Sequence, residues 1–200
     1  MSYSKVDIWN LALTNCGFAS RIASETEGSA ESELLASLHD HCVDYVLEDF
    51  PWRFAKKRAT LALLSITAPT PWTYAYEKPQ DCLKIRQIAN PSFSNPLPSQ
   101  RVPYERMTDG TYDIICTDMP EAELIYTARI TDTTRFDPSF ATALSFYMST
   151  LIVIPLRGKP DIAQAMQMGY ARSVREAAAK SMREGHFTEN DGEFVRSRYA

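Results

Sequence analysis

Glycine, histidine and closely spaced cysteine are all scarce in this chain. Seven glycines are spread over 200 residues. None falls into G-x-G-x-x-G or G-x-x-x-x-G-K, so no phosphate-cradling loop can be read, and there is no G-x-S-x-G elbow for a nucleophilic serine. The three histidines are His39, His41 and His186. That leaves little material for a catalytic base oriented by a third group. Cys16, Cys42, Cys82 and Cys116 include no C-x-x-C pair, which argues against a disulfide framework or a zinc site and for folding in a reducing cytoplasm. The N-terminus carries no charged-then-apolar signal peptide. There is no excess of positive charge either. With 21 basic and 25 acidic residues the net charge is −4, so binding of nucleic acid over the whole surface by counterion release is disfavoured. No repeat, heptad array or low-complexity tract is present.

What is there suits a folded soluble protein: 44% hydrophobic, 23% charged and 11% aromatic residues, in a chain long enough to bury roughly 70% of its unfolded surface. Helix signals crowd the two ends. Ser4 with Asp7 makes a capping box, an apolar run from Ile8 to Leu13 follows and Gly17 suits a stop, predicting a helix over about 4–16. Ser29 starts a second, with Leu34, Leu35, Leu38, Cys42, Tyr45, Val46 and Phe50 at spacings of three and four until Pro51. Asp137-Pro138 starts a third, and Asp161 a fourth that runs to about Arg183 with Ile162, Ala165, Met166, Gly169, Val174, Ala178 and Met182 inward. On its wet face Glu176 is expected to pair with Lys180.

The third helix has no charge between Asp137 and Arg157, close to the length of a membrane span. Its Ser139, Thr142, Ser145, Ser149 and Thr150 speak for a protein-covered helix instead, and the need for cover on several sides points to oligomerisation.

The middle of the chain repeats every two residues. Ala59-Leu61-Leu63, Trp72-Tyr74-Tyr76 and residues 82–88 read as strands. Leu83 and Ile85 fall on one face of the last, Lys84 and Arg86 on the other. Asn90 to Pro103, with four prolines, reads as an exposed mobile loop. Asp109-Gly110 marks a hairpin between Tyr104–Met107 and Tyr112–Cys116, and the chain returns over Ala122–Arg129 to complete an antiparallel meander. The expected fold is α+β: a helical bundle body from both chain ends (1–51 and 137–184), an inserted antiparallel β-rich lobe (52–136) and a flexible C-terminal tail (185–200).

Local chemistry is thin. His39-Asp40-His41-Cys42 has the wrong helical spacing for a metal site and reads as helix surface with one buried cysteine. Trp52-Arg53-Phe54-Ala55-Lys56-Lys57-Arg58 interleaves aromatics with bases, as single-strand or RNA binding requires. Its simpler reading packs the aromatics inward and leaves the bases wet. The Trp72-Tyr74-Tyr76 stripe reads as sheet packing. An enzyme whose site assembles in space stays open.

Several of these same segments together resemble a known family. They are Ile8, Asn10, Ala12, Leu13 and Gly17; Gly28-Ser29-Ala30-Glu31; Phe50-Pro51-Trp52-Arg53-Phe54-Ala55; and, most clearly, Trp72-x-Tyr74-x-Tyr76-x-x-Pro79-x-Asp81-Cys82-Leu83-Lys84. In this order and chain length the sequence resembles the head-to-tail adaptors of short-tailed bacteriophages, the tail tubular protein A type. The resemblance implies a virion structural protein without catalysis or cofactor, made in the host cytoplasm. Twelve copies would form a ring beneath the portal protein, extending the DNA channel and presenting a surface to a nozzle or other tail protein. On that view residues 185–200 dock on the portal through Phe187, Phe194, Val195 and Tyr199, with Arg196 and Arg198 seeking acidic partners, while Asn95, Pro96, Asp109 and Gly110 face the next tail component. The alternative is a small nucleic-acid-binding protein using Trp52–Arg58.

Overall fold

The computed structural model describes residues 3–93, 96–108, 110 and 112–184, with Glu184 as backbone only. Four helices, α1 (Lys5–Asn15), α2 (Ala30–Asp49), α3 (Pro138–Arg157) and α4 (Pro160–Glu184), come from the two ends of the chain. Six strands lie between them: β1 (Lys56–Thr60), β2 (Tyr74–Glu77), β3 (Cys82–Ile88), β4 (Glu105–Thr108), β5 (Asp113–Thr117) and β6 (Glu123–Ala128). The protein is therefore α+β, as its periodicities predict.

Local chemistry sets the helix ends. Ser4 and Asp7 form the expected reciprocal capping box. Ser29 accepts from Ser32 N–H at the start of α2, and Asp137 accepts from Phe140 N–H ahead of the first-turn Pro138 of α3. Gly158, at φ +63°, ends α3 in the left-handed conformation that a residue with a Cβ rarely adopts.

α3 is the hub, with α1, α2 and α4 all packed against it. It is long and apolar enough to cross a membrane, yet half of that stretch is buried inside the fold. Phe140, Ala141, Leu144, Met148, Ile152 and Val153 are inaccessible to solvent. About half of the cover that this apolar helix requires is thus supplied within the chain. Its buried serines are satisfied locally: Ser149 Oγ donates to Ser145 O (2.7 Å) or Ala12 O (3.0 Å), while Asn15 Nδ2 donates to Ser145 Oγ (3.3 Å). These bonds tie α1 to α3 at little polar cost.

α4 packs through Ile162, Ala163, Tyr170, Ser173, Val174 and Ala177. Gly169 is required where α4 crosses α3, since a Cβ there would stand 2.7 Å from the Phe146 ring. Three expectations for this helix fail. Ala165, expected inward, is exposed. Met182 is 73% exposed, and Glu176 pairs with Arg172 (2.8 Å) while Lys180 reaches Ser139 Oγ on α3 (3.3 Å). Both partners compete for the same helix turns, and Ser139 lies within Lys180's reach only through tertiary packing.

The strands do not form a meander. They make two antiparallel three-stranded sheets, ordered β1-β6-β3 and β2-β5-β4. Among the described residues only β4 and β5 pair as a sequential hairpin, with Thr108 opposite Asp113 and Gly110 at φ +90°. β6 enters between β1 and β3, the return that encloses the first sheet. Register shifts at Cys82/Lys84 and Ile85/Gln87 break the simple alternation of β3, so its two faces are not cleanly divided.

One core joins helices and sheets. Leu124, Tyr126 and Ala128 of β6, Ile88 of β3, and Tyr76 and Ile115 of the second sheet share it with α1, α2 and α3. The opposite face of the second sheet, Ala75, Ile114 and Cys116, makes a small separate cluster covered by Leu64, Ala68 and Trp72. Trp72 therefore leaves the Tyr74-Tyr76 stripe, because it precedes β2 and the period of two does not extend to it. The described residues at the two ends of the Asn90–Pro103 segment are tied to the body: Val102 bridges Ile88, Asn90 Nδ2 donates to Gln100 O (2.8 Å), and a short 3-10 turn spans Pro98–Gln100.

Candidate interaction surfaces

Arginines from elsewhere in the chain reach the C-terminal ends of three helices, two of which have no basic residue of their own there. Neither α1 nor α2 has a basic residue in its last turn. Arg157 Nη2 donates to Gly17 O (2.6 Å) just past α1, with its guanidinium over the Phe18 ring. Arg86 of β3 donates through Nη2 to Leu47, Glu48 and Phe50 carbonyls at the end of α2 (3.0–3.1 Å), and through Nε to Thr127 Oγ1 (2.7 Å). Arg53 Nη2 donates to Ser181 O (2.6 Å) in the last turn of α4. Arg86 and Arg53 satisfy carbonyls that α2 and α4 leave open, and all three arginines stand near the negative end of a helix dipole. Half-burial holds the Arg86 pKa below the ordinary arginine value, with Glu48 and Asp49 opposing the shift.

The basic-aromatic stretch at the exit of α2 divides as its simpler reading expects. Trp52 is buried and donates to Val46 O (2.7 Å). It packs edge-on against Phe50 and Phe140, and Phe54 joins Phe136 and Phe140. After a 3-10 turn over Arg53–Ala55, β1 carries Lys57 and Arg58 on the surface, bridged to Asp81 (2.5 Å) and Glu123.

Asp81, in the aromatic-Pro-Asp-Cys motif, staples the first sheet. Besides Lys57 it accepts from Tyr126 OH (2.9 Å), and its own carbonyl accepts from Arg129 N–H (2.8 Å). The Lys57 bond, first, holds its carboxyl below the usual range; burial opposes it, and the Tyr126 bond adds to the lowering. Burial, then the bond to Asp81, pushes Tyr126 up to about 12. Tyr76 of the same motif donates to Met119 O (2.9 Å), fastening the turn that leads into β6.

His39 is a correction. The sequence suggests a helix-surface residue, but it is only 3% exposed, and its Nδ1 accepts from Trp9 Nε1–H (3.1 Å). The buried stripe of α2 runs through Ser32, Leu35, His39, Cys42, Val43, Val46 and Leu47. It is rotated from the purely apolar spacing because Trp9 supplies a polar partner. All four cysteines are buried and free. Among the described residues, no three His, Cys, Asp or Glu side chains converge in a metal-binding group.

Two open clefts carry exposed apolar side chains. One, of about 520 Å³ between α2, α3 and α4, is lined by Tyr45 stacked on Tyr147 (4.3 Å), with Tyr170, Ile154 and Gln167. Tyr170 OH donates to Asp49 Oδ2 (2.6 Å), and burial together with that bond raises the Tyr170 pKa. The other, of about 540 Å³ on the β-rich part, is lined by Leu63, Tyr74, Tyr76 and Pro120. Ile154 is 54% and Leu63 61% exposed. The tyrosine cleft has no local sequence signal, since its residues come from three helices.

Of the residues expected to face a tail component, Gly110 stands exposed at the hairpin tip, while Pro96 is buried and offers no outward surface of its own. Asn95 and Asp109 lie outside the described residues, as do Phe187, Phe194, Val195, Arg196, Arg198 and Tyr199. No protein-family model matches the chain, and no curated protein matches it.

Proposed function

We propose that this chain is a structural adaptor of a short-tailed bacteriophage, a virion protein that joins portal to tail as a ring of about twelve copies and continues the DNA channel. One observation carries the reading. The residues on which the resemblance rests are joints of the fold: Ser29 caps α2, Trp52 and Arg53 fasten its exit and the end of α4, and Tyr76 and Asp81 staple the sheets. A pattern shared at such joints is what a common scaffold would keep, and a scaffold acts through its faces.

Two features are consistent with ring assembly. A closed ring needs two different faces on each copy, and the tyrosine cleft and the Leu63 cleft are distinct exposed apolar surfaces on different parts of the chain. The net charge of −4 suits a conduit through which DNA must slide. The tail would engage the portal through Phe194, Val195 and Tyr199, with Arg196 and Arg198 meeting acidic groups.

The test is co-sedimentation of the full-length chain with portal rings of its own virus. Phe194→Ser/Tyr199→Ser should abolish co-sedimentation while leaving the circular dichroism spectrum unchanged; undiminished binding by that variant overturns the docking role. DNA binding that weakens steeply with salt and is lost on replacing Lys56, Lys57 and Arg58 would instead favour a nucleic-acid-binding protein.

A further inference from the structure

α4 turns a second stripe away from the body. Ala165, Met168, Arg172, Arg175, Ala179 and Met182 follow one another at alternating steps of three and four residues, and all are exposed. That is the spacing of a seam against another helix. Met182 and Met168, at 73% and 64%, are the most exposed large hydrophobic side chains among the described residues. Arg172 is answered by Glu176 (2.8 Å). Arg175 and Arg183, which flank Ala179 and Met182, take part in no ion pair among the described residues.

α2 offers the complement. It holds six acidic residues and no lysine or arginine, and Glu33, Ser37, Asp40, Asp44 and Glu48 recur on its outward side at steps of three and four. Arg129 bridges Asp44, Arg86 faces Glu48 and Asp49, and Lys5 pairs with Glu25. Glu33 and Asp40 are left without an ion pair, and between them stand Ala36 and Ser37, small and exposed. At 1.5 Å per residue Glu33 and Asp40 lie about 10.5 Å apart along α2, and Arg175 and Arg183 about 12 Å apart along α4. Two bases around a methionine thus match two acids around small side chains. Within one chain the stripes do not meet: the tyrosine cleft lies between the helices, and no ion pair among the described residues joins them. We propose that the outward stripe of α4 on one copy packs against the acidic face of α2 on the next. Each contact leaves one stripe open on either copy, so the pairing is head to tail and can propagate or close. The inference deepens the adaptor reading and rests on it for the closing of a ring, while the pairwise contact is tested without a portal.

Sedimentation velocity of the full-length chain at rising concentration and low salt should show self-association that weakens as salt is added. Arg175→Glu/Arg183→Glu should weaken it at least about tenfold, and so should Glu33→Arg/Asp40→Arg, because each pair of changes sets like charges face to face. All four positions are exposed, so the circular dichroism spectrum should not change. In an equimolar mixture of the two variants every mixed contact again joins opposite signs, and association should return. A wild type that stays monomeric, undiminished association of either variant, or a mixture that stays apart would overturn the pairing. Rings that still form on portals after such a result would leave the adaptor reading standing; a bare portal with the pairing intact would do the reverse.

Discussion

Replacing Arg86 with methionine isolates the joint between β3 and the end of α2. Methionine keeps the unbranched stem and removes the guanidinium. Nη2 has two hydrogens for three carbonyls at 3.0–3.1 Å, so the group makes about two good bonds to α2, plus one from Nε to Thr127. Hydrogen bonds from a charged donor contribute about 1.5–3 kcal/mol each, and partial exposure of Arg86 puts these at or below the low end. Some of the freed carbonyls can recover water. The expected net loss is about 3 kcal/mol, or roughly 6–12 °C in melting temperature for a chain of this size. Arg86→Lys should fall between wild type and Arg86→Met, since a single ammonium cannot reach the α2 carbonyls and Thr127 together. Thermal unfolding followed by circular dichroism reads all three. A shift below 2 °C for Arg86→Met would refute the claim that this residue holds sheet to helix.

Two further outcomes follow from buried contacts. His39 is held neutral by burial first and by nearby Lys5, with Asp40 and Glu25 opposing, so its folded pKa lies below the ordinary value of about 6.5. Its contribution is complete above that value and is lost as pH falls through the folded pKa, because the unfolded chain takes up the proton first. In urea titrations the stability of wild type relative to His39→Gln should therefore decline between pH 7 and pH 5; a constant difference would show that His39 does not titrate with folding. Gly169→Ala adds a Cβ 2.7 Å from the Phe146 ring, so overpacking should outweigh the gain in helix propensity and lower the melting temperature by about 2–4 °C. An increase would show that α3 and α4 have slack at their crossing.

Sequence made legible whatever short-range chemistry decides. The Ser4–Asp7 box, the Ser29 and Asp137 caps and the β4–β5 pairing each need only a few neighbouring residues, enough to start the helices and assign the α+β class. Pairing was less accessible. β6 goes between β1 and β3 because its even-numbered residues complete the core under α1–α3, a choice made across more than sixty residues for Thr60 and Glu123. The arginines at the helix ends were invisible for the same reason: Arg86 reads as one more alternating strand residue until α2 is packed beside it. His39 looked like surface because its partner, Trp9, lies on another helix. The apolar run of α3 was correctly seen to need cover, but nothing local distinguishes cover by a second copy from cover by its own chain.

The adaptor reading is tested most directly by imaging. The full-length chain, mixed with the portal of its own virus, is examined by electron microscopy and the copies around the channel axis are counted in averaged end views. About twelve copies in a closed ring beneath the portal, with the channel continuing through the ring, is the expected result. A portal that stays bare at saturating concentrations of the chain would contradict it.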